Sequence, residues 1–330
     1  NYPARPDSLA FRADAGTRRH AFLRAIRVNP QLGYSLYRQE TVDDTQPAEN
    51  SATLAFSDLS FLKTGSSHRD VFYRRLEPGA SVAPAHVIAS GNDEPDFGID
   101  IGLFEDNGTA FGREYGFGTQ PFGNPNLDYG SQAPFHMGFY HLDWLTRTAQ
   151  PDLLRTMPEW RVSLFGALSK FAFESGHDYW GWRFAGWALH YVGDLTQPYH
   201  AEPLPGIGTI EALWLVVRGE TDAAVQLVSN RHGVLESYQF QRVSARLATQ
   251  VWQDPILAAI ASAGPVPEFS EHTMREVLSL ESVAGGDAVD AALEANVPAR
   301  FVSDPNFEWT GSGEEAGIVD TVRRENGEGA

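Results

Sequence analysis

Two histidine–carboxylate pairs at helical spacing carry the first chemical signal in this chain: His190 with Asp194, and His232 with Glu236. Residues four apart on a helix share one face, with side chains about 6 Å apart. An imidazole nitrogen and a carboxylate oxygen so placed can reach one zinc ion at about 2.0–2.2 Å. Pro198 stops the first helix, and His200 follows at the turn, placed to serve a neighbouring ion. Either pair alone is a common arrangement, and His190, lying among Trp187, Leu189 and Val192, also reads as a core histidine paired with Asp194. Two pairs and a turn histidine, in a chain with 10 histidines, raise the expectation of more than one metal. The chain has no cysteine, which excludes thiolate ligation and disulfides, so any ion must be held by imidazole and carboxylate.

The elements that must position these groups are expected to be helices. A helix from about Thr17 carries His20, Phe22, Leu23 and Ile26 and ends at Asn29-Pro30, because the residue before proline is biased out of the helical region. A short helix is expected over 84–90. Residues 91–130 are rich in Gly, Asp, Asn and Pro with Phe97, Phe104, Phe111, Tyr115, Phe117 and Phe122 interleaved, which reads as a long ordered loop region packing on the body. From 134 onward the pattern is mainly helical, strongest over 160–174, 182–195 and 221–251, with a last segment over 288–295. The expected fold is therefore mainly α: one multi-helix domain over 1–310 with long loop insertions, followed by a Gly/Glu-rich tail over 311–330. Trp180, Trp182, Trp187 and Trp214 read as core rather than as a substrate platform.

Composition narrows the function. At 330 residues the chain can bury a full core, and 42% hydrophobic residues are ordinary for a globular protein. No apolar run approaches the roughly 20 residues that span a bilayer; residues 212–217 are the longest candidate. The 43 acidic residues against 25 basic ones leave a formal charge of −18, a field that repels long nucleic acids and anionic membranes. No basic, apolar leader opens the chain, so an export signal is expected to be absent or already removed.

The run His190-Tyr-Val-Gly-Asp194-Leu-Thr-Gln-Pro-Tyr-His200 closely resembles the signature of the zinc-dependent phospholipases C and the related single-strand-specific zinc nucleases. That signature reads roughly His-x-x-Gly-Asp-x-x-Gln-Pro-x-His, and every fixed position is met. The family has a His-x-x-x-Glu or His-x-x-x-Asp pair on the next helix, which His232 and Glu236 match. The resemblance covers about 50 residues, from Trp187 to Glu236, and more loosely the region from His20. It implies an exported, mainly helical phosphodiester hydrolase holding two to three zinc ions.

By that resemblance one ion takes Asp96, His136, His190 and Asp194, and a second takes His200, His232 and Glu236. A third takes His20 and a bridging Asp194, completed by the terminal amine and carbonyl of Asn1. For the loop aspartate, Asp93, Asp100 and Asp128 remain alternatives to Asp96, and His141 is a rival to His136. The family usually begins with a tryptophan close before its first histidine. Here Asn1 lies 19 positions before His20, a departure from the family pattern at the third ion. His68, His86, His177 and His272 match no family ligand.

The implied chemistry is attack by a metal-activated water on a phosphate diester, with Asp194 bridging two ions and Asp96 doubling as general base. Glu236, the acidic charge and the lack of a basic stripe favour phosphatidylcholine-like lipids, hence a phospholipase C with transient contact to a lipid surface and no stable nucleic-acid complex. The aromatic loop offers either packing or a choline-binding face. The alternatives are a zinc nuclease or 3′-nucleotidase of the same superfamily, and a non-catalytic metal-binding homologue.

Overall fold

The computed structural model describes residues 2–12, 17–40, 53–62, 71–124, 129–262, 264, 268–270 and 272–327. Contacts gather the chain into two compact units, the first holding residues 1–65, 70–139 and 147–196, the second residues 66–69, 140–146 and 197–330. Each is mainly helical, and the strands among the described residues form one small sheet in the first.

The first unit contains helices α1 (Arg18–Ala25), α2 (Pro84–Asp93), α3 (Ala110–Tyr115) and α4 (Ala133–His136). Helix α5 (Trp144–Ala149) straddles the division, and α6 (Pro158–Glu174) and α7 (Asp178–Asp194) complete the first unit. Helix α7 opens with Asp178, which complements the positive end of the helix dipole. Phe184, Trp187 and Tyr191 recur on one face and are buried, Trp187 and Tyr191 against Phe165 of α6 and Phe184 against Trp187. The helix ends at Leu195, ahead of Pro198.

Helix α2 meets α7 backbone to backbone. A methyl group on Gly91 would stand 2.7 Å from the Arg183 carbonyl oxygen, and one on Gly186 would stand 2.6 Å from the Ile88 carbonyl oxygen. Only glycine permits that approach, and it brings the end of α2 alongside His190. The sheet, β1 (Tyr37–Glu40), β2 (Thr53–Leu54) and β3 (Phe72–Arg75), is antiparallel in the order β1-β3-β2, with Tyr37 opposite Arg75 and Leu54 opposite Tyr73. Its Tyr37, Leu54 and Tyr73 bury a small cluster with Phe97.

Residues 91–93 close α2, and 94–124 fold as a 3₁₀ turn (Glu94–Phe97), helix α3 and intervening loops. Phe97, Phe104, Phe111, Tyr115 and Phe117 are all buried, and Phe122 packs on Phe139. Packing thus claims all of these rings but Phe122, which is half-buried. Trp187 is fully buried and Trp180 packs against the core, whereas Trp214 is exposed.

The second unit contains α8 (Pro198–Ala201), α9 (Thr209–Arg218), the 28-residue α10 (Thr221–Ala248), α11 (Pro255–Ala261), a π-helical turn (Thr273–Ser279) running into α12 (Leu280–Asn296), α13 (Ala299–Val302) and α14 (Ile318–Asn326). Its core joins Val234 and Leu235 of α10 to Leu293, Phe301 and Ile318. Within 311–330, Ile318, Val319 and Val322 are buried, because α14 turns one strongly apolar face onto that core. Each of the two contact units has a core of its own.

Candidate metal centres

Four ligand-type side chains converge in the first unit. His190 comes from the last turn of α7 and Asp194 from its end, His136 from the end of α4, and Asp96 from the 3₁₀ turn after α2. His190 Nε2 lies 3.1 Å from His136 Nδ1. Asp194 Oδ2 lies 3.1 Å from His136 Nδ1 and 3.5 Å from His190 Nε2. Asp96 Oδ1 lies 3.8 and 3.6 Å from the same two nitrogens. Both imidazoles and Asp194 are enclosed, while the Asp96 side chain is 55% exposed and gives the centre its solvent-facing edge.

The imidazoles are oriented from behind. His190 Nδ1 donates to the Asn92 carbonyl at 2.7 Å, which leaves Nε2 with its lone pair toward the centre. That carbonyl is in place because of the glycine contact between α2 and α7. His136 turns Nδ1 inward and Nε2 toward the buried Asp100, 3.6 Å away. Burial, the largest single effect, lowers the His136 pKa, but the Asp194, Asp100 and Asp96 carboxylates together outweigh it, so the imidazole is pushed up to about 10. Asp100 is pulled the opposite way: burial raises it, and the Arg161 guanidinium, His136 and Tyr191 together hold it below its ordinary range.

The second centre is built on α8 and α10. Gln197 caps α8 by accepting from the Tyr199 amide at 2.7 Å, which sets His200 on a single helical turn. His232 and Glu236 lie one turn apart on α10. His200 Nε2 and His232 Nε2 face each other at 2.8 Å, and Glu236 Oε1 lies 2.8 Å from His232 Nε2 and 3.7 Å from His200 Nε2.

Both sets fit a dication. Donors bound tetrahedrally at about 2.0–2.1 Å stand about 3.3 Å apart, and the spacings in each centre bracket that value. Paired imidazole nitrogens with carboxylate oxygens are the donor chemistry of zinc and its first-row neighbours. Asp96, His136 and His190 form one group that could hold a metal ion, with Asp194 close to both imidazoles, and His200, His232 and Glu236 form another.

Other expected site residues fall elsewhere. His20 is exposed on α1 and belongs to neither group, and Asn1, like Asp128 and His68, lies outside the described residues. His141 donates Nε2–H to the Arg275 carbonyl at 2.7 Å, within the second unit, so His136 alone of the two rivals stands in the first centre. His86 faces the Gln39 carbonyl, His177 immediately precedes α7 without a side-chain cap, and His272 pairs with Glu276 on the surface. Sequence reasoning missed the supporting residues Asn92, Tyr191, Arg161, Arg231 and Asp290. Tyr191 and Arg231 adjoin ligand-type histidines in the chain, which was the available signal; Arg161 and Asp290 carried none.

Compared with known proteins, the chain matches no family model, no curated protein and no solved structure.

Proposed function

We propose that this protein is a zinc-dependent phosphodiester hydrolase, a phospholipase C acting on phosphatidylcholine-like lipids. The observation that carries the reading is the pair of inward-turned imidazole sets, His136 with His190 and His200 with His232, each joined by carboxylates, with His190 and His200 on the signature-like stretch and His232 on the helix expected after it. Bound zinc would supply Lewis acidity and neutralise charge developing on a phosphoryl group. His136, His190, Asp194 and Asp96 would hold one ion; His200, His232 and Glu236 would hold another. Asp96, the solvent-facing carboxylate of its centre, takes the proton of the attacking water in this reading. His20 and Asn1 are left without a role, and two ions are the proposed complement.

A lipid substrate is supported by α9, which exposes Ile210, Trp214 and Val217 along one side. An apolar stripe bearing tryptophan suits the boundary between head groups and acyl chains. The chain's charge of −18 favours a zwitterionic surface over an anionic one and over a polynucleotide. Incubating the zinc-loaded chain with phosphatidylcholine vesicles and, separately, with single-stranded DNA tests the proposal. Release of phosphocholine and diacylglycerol supports it. Cleavage of DNA alone would transfer the protein to the nuclease branch, and cleavage of neither would leave a metal-binding protein without this activity.

A further inference from the structure

We infer that Asp100 is a positioning residue rather than a ligand: it fixes His136 in the ring tautomer whose Nδ1 lone pair faces the first centre, and Tyr191 and Arg161 hold it in that task. The inference rests on the metal-binding reading of this centre and adds to it a supporting layer that the centre's own ligands do not contain.

Asp100 is fully buried. Its Oδ1 accepts from the Arg161 guanidinium, its Oδ2 accepts the Tyr191 hydroxyl at 2.5 Å, and the same Oδ2 stands 3.6 Å from His136 Nε2. The other ring nitrogen, Nδ1, faces Asp194, His190 and Asp96. The two nitrogens of an imidazole point away from each other, so a group at Nε2 cannot share an ion with the groups at Nδ1. This separates Asp100 from Asp96 as a ligand candidate.

An ionised carboxylate only accepts, so the ring proton belongs on Nε2 and the lone pair on Nδ1. Carboxylate–histidine–metal arrays of this kind set both the tautomer and the ring's orientation. His190 follows the same logic with its nitrogens exchanged, Nδ1 on the Asn92 carbonyl and Nε2 inward. Tyr191 directly follows His190 on α7, so one turn of helix supplies a ligand and the hydroxyl that restrains Asp100. Arg161 completes the layer from α6, donating also to the Ile26 and Arg27 carbonyls and lying over the Phe135 ring.

The test is Asp100→Asn. The amide keeps the size and can still present its one oxygen to Arg161, but its NH2 then takes the place of Oδ2 and turns N–H donors toward the Tyr191 hydroxyl and His136 Nε2. That favours the opposite tautomer, with Nδ1–H aimed into the centre. Zinc affinity at one of two sites is expected to fall about 10–100-fold, the usual effect of losing an outer partner, with the other site unchanged, measured by competition with a chromophoric chelator. Ring-nitrogen NMR of the zinc-loaded wild type should show a slowly exchanging proton on His136 Nε2, and the variant should lose it, a change that a purely structural role would not produce. Should Asp100→Asn fail to fold around Arg161, Tyr191→Phe keeps the aromatic ring, removes one donor and is expected to weaken the same site by less. Wild-type zinc affinity in the variant that folds, with the Nε2 proton unaltered, overturns the inference alone. No zinc uptake by the wild-type chain overturns it together with the metal-centre reading.

Discussion

The two centres draw on the same donors but are supported in different ways. In the first, both imidazoles are enclosed, and each is steered through its far nitrogen, His190 by the Asn92 carbonyl and His136 by Asp100. In the second, His232 and Glu236 are 24% and 51% exposed, and a clamp operates one residue back along the chain. Asp290 of α12 accepts the Tyr199 hydroxyl at 2.5 Å on one oxygen and the Arg231 guanidinium on the other. Tyr199 and Arg231 immediately precede His200 and His232, so one buried carboxylate ties α8 to α10 and sets where both ligand-bearing backbones lie. A ring steered at its far nitrogen loses rotational freedom directly, whereas a clamp on neighbouring residues fixes the Cα position. The first centre is therefore expected to be the more preorganised and to hold its ion longer under chelation.

The largest expected effect breaks the first centre at a ligand. Asp194→Asn substitutes a neutral amide for a carboxylate that lies within 3.5 Å of both imidazoles. Zinc affinity there should fall by more than about a hundredfold, beyond what loss of an outer partner does, and hydrolysis should fall with it. Metal stoichiometry after dialysis measures the first and phosphocholine release the second; a variant that keeps both would remove Asp194 from the centre.

Next comes the clamp. Asp290→Ala takes from Arg231, a buried guanidinium, one of its two carboxylate partners and should cost up to about 3–5 kcal/mol of stability, the penalty typical of breaking a buried pair by deleting one partner. Denaturant unfolding followed by a probe in the second unit reads this. A cost below about 1 kcal/mol would mean that Glu294 and the Val302 carbonyl, which also receive Arg231, suffice without Asp290.

The same contrast explains what was legible in the sequence. Helices α6, α7 and α10 followed from apolar periodicity, and the seven centre residues from helical spacing joined to a long resemblance. Spacing along a helix fixes which side chains share a face, so His190 with Asp194 and His232 with Glu236 could be paired from the order of residues alone. The supporting layer could not. Asp100 reaches His136 across 36 residues and Asp290 reaches Arg231 across 59, and such long-range partners leave no local period. The contribution of 318–326 was hidden for a related reason: its Gly- and Glu-rich flanks dominate the composition, while the apolar stripe of α14 shows only when read at 3.6 residues per turn.

A pH series sharpens the comparison further. In the metal-free chain His136 is raised to about 10 from an ordinary 6.5, against the effect of burial, by Asp194 with Asp100 and Asp96. A folded-state pKa above the unfolded value gives stability that is fully present below about 6.5 and is lost as pH rises through about 10. The chelated chain should thus melt at a lower temperature at pH 9.5 than at pH 6. Zinc must displace the same proton from His136, so its affinity for the first centre should climb over that interval, with proton release in calorimetry. Metal uptake at this centre without proton release near pH 7 would show that His136 is already neutral there.

The smallest expected effect concerns neither centre but the lipid surface on which the proposed substrate lies. Trp214, 55% exposed, sits between Ile210 and Val217 on the open side of α9, with the Arg218 guanidinium 5.8 Å from its ring centre. The side of a ten-residue helix, about 15 Å long, falls well short of the area that a stable protein interface buries. A weak, reversible partition into a zwitterionic bilayer asks less area of it. Moving an indole from water to the head-group boundary contributes on the order of 1–2 kcal/mol, so Trp214→Ser should lower vesicle partitioning about 5- to 30-fold. Sedimentation with phosphatidylcholine vesicles measures it, and because only the solvent-facing side of α9 changes, zinc stoichiometry should stay as in the wild type. Equal sedimentation of variant and wild type would detach α9 from the lipid surface and leave the metal centres as the whole of the case for a phosphodiesterase.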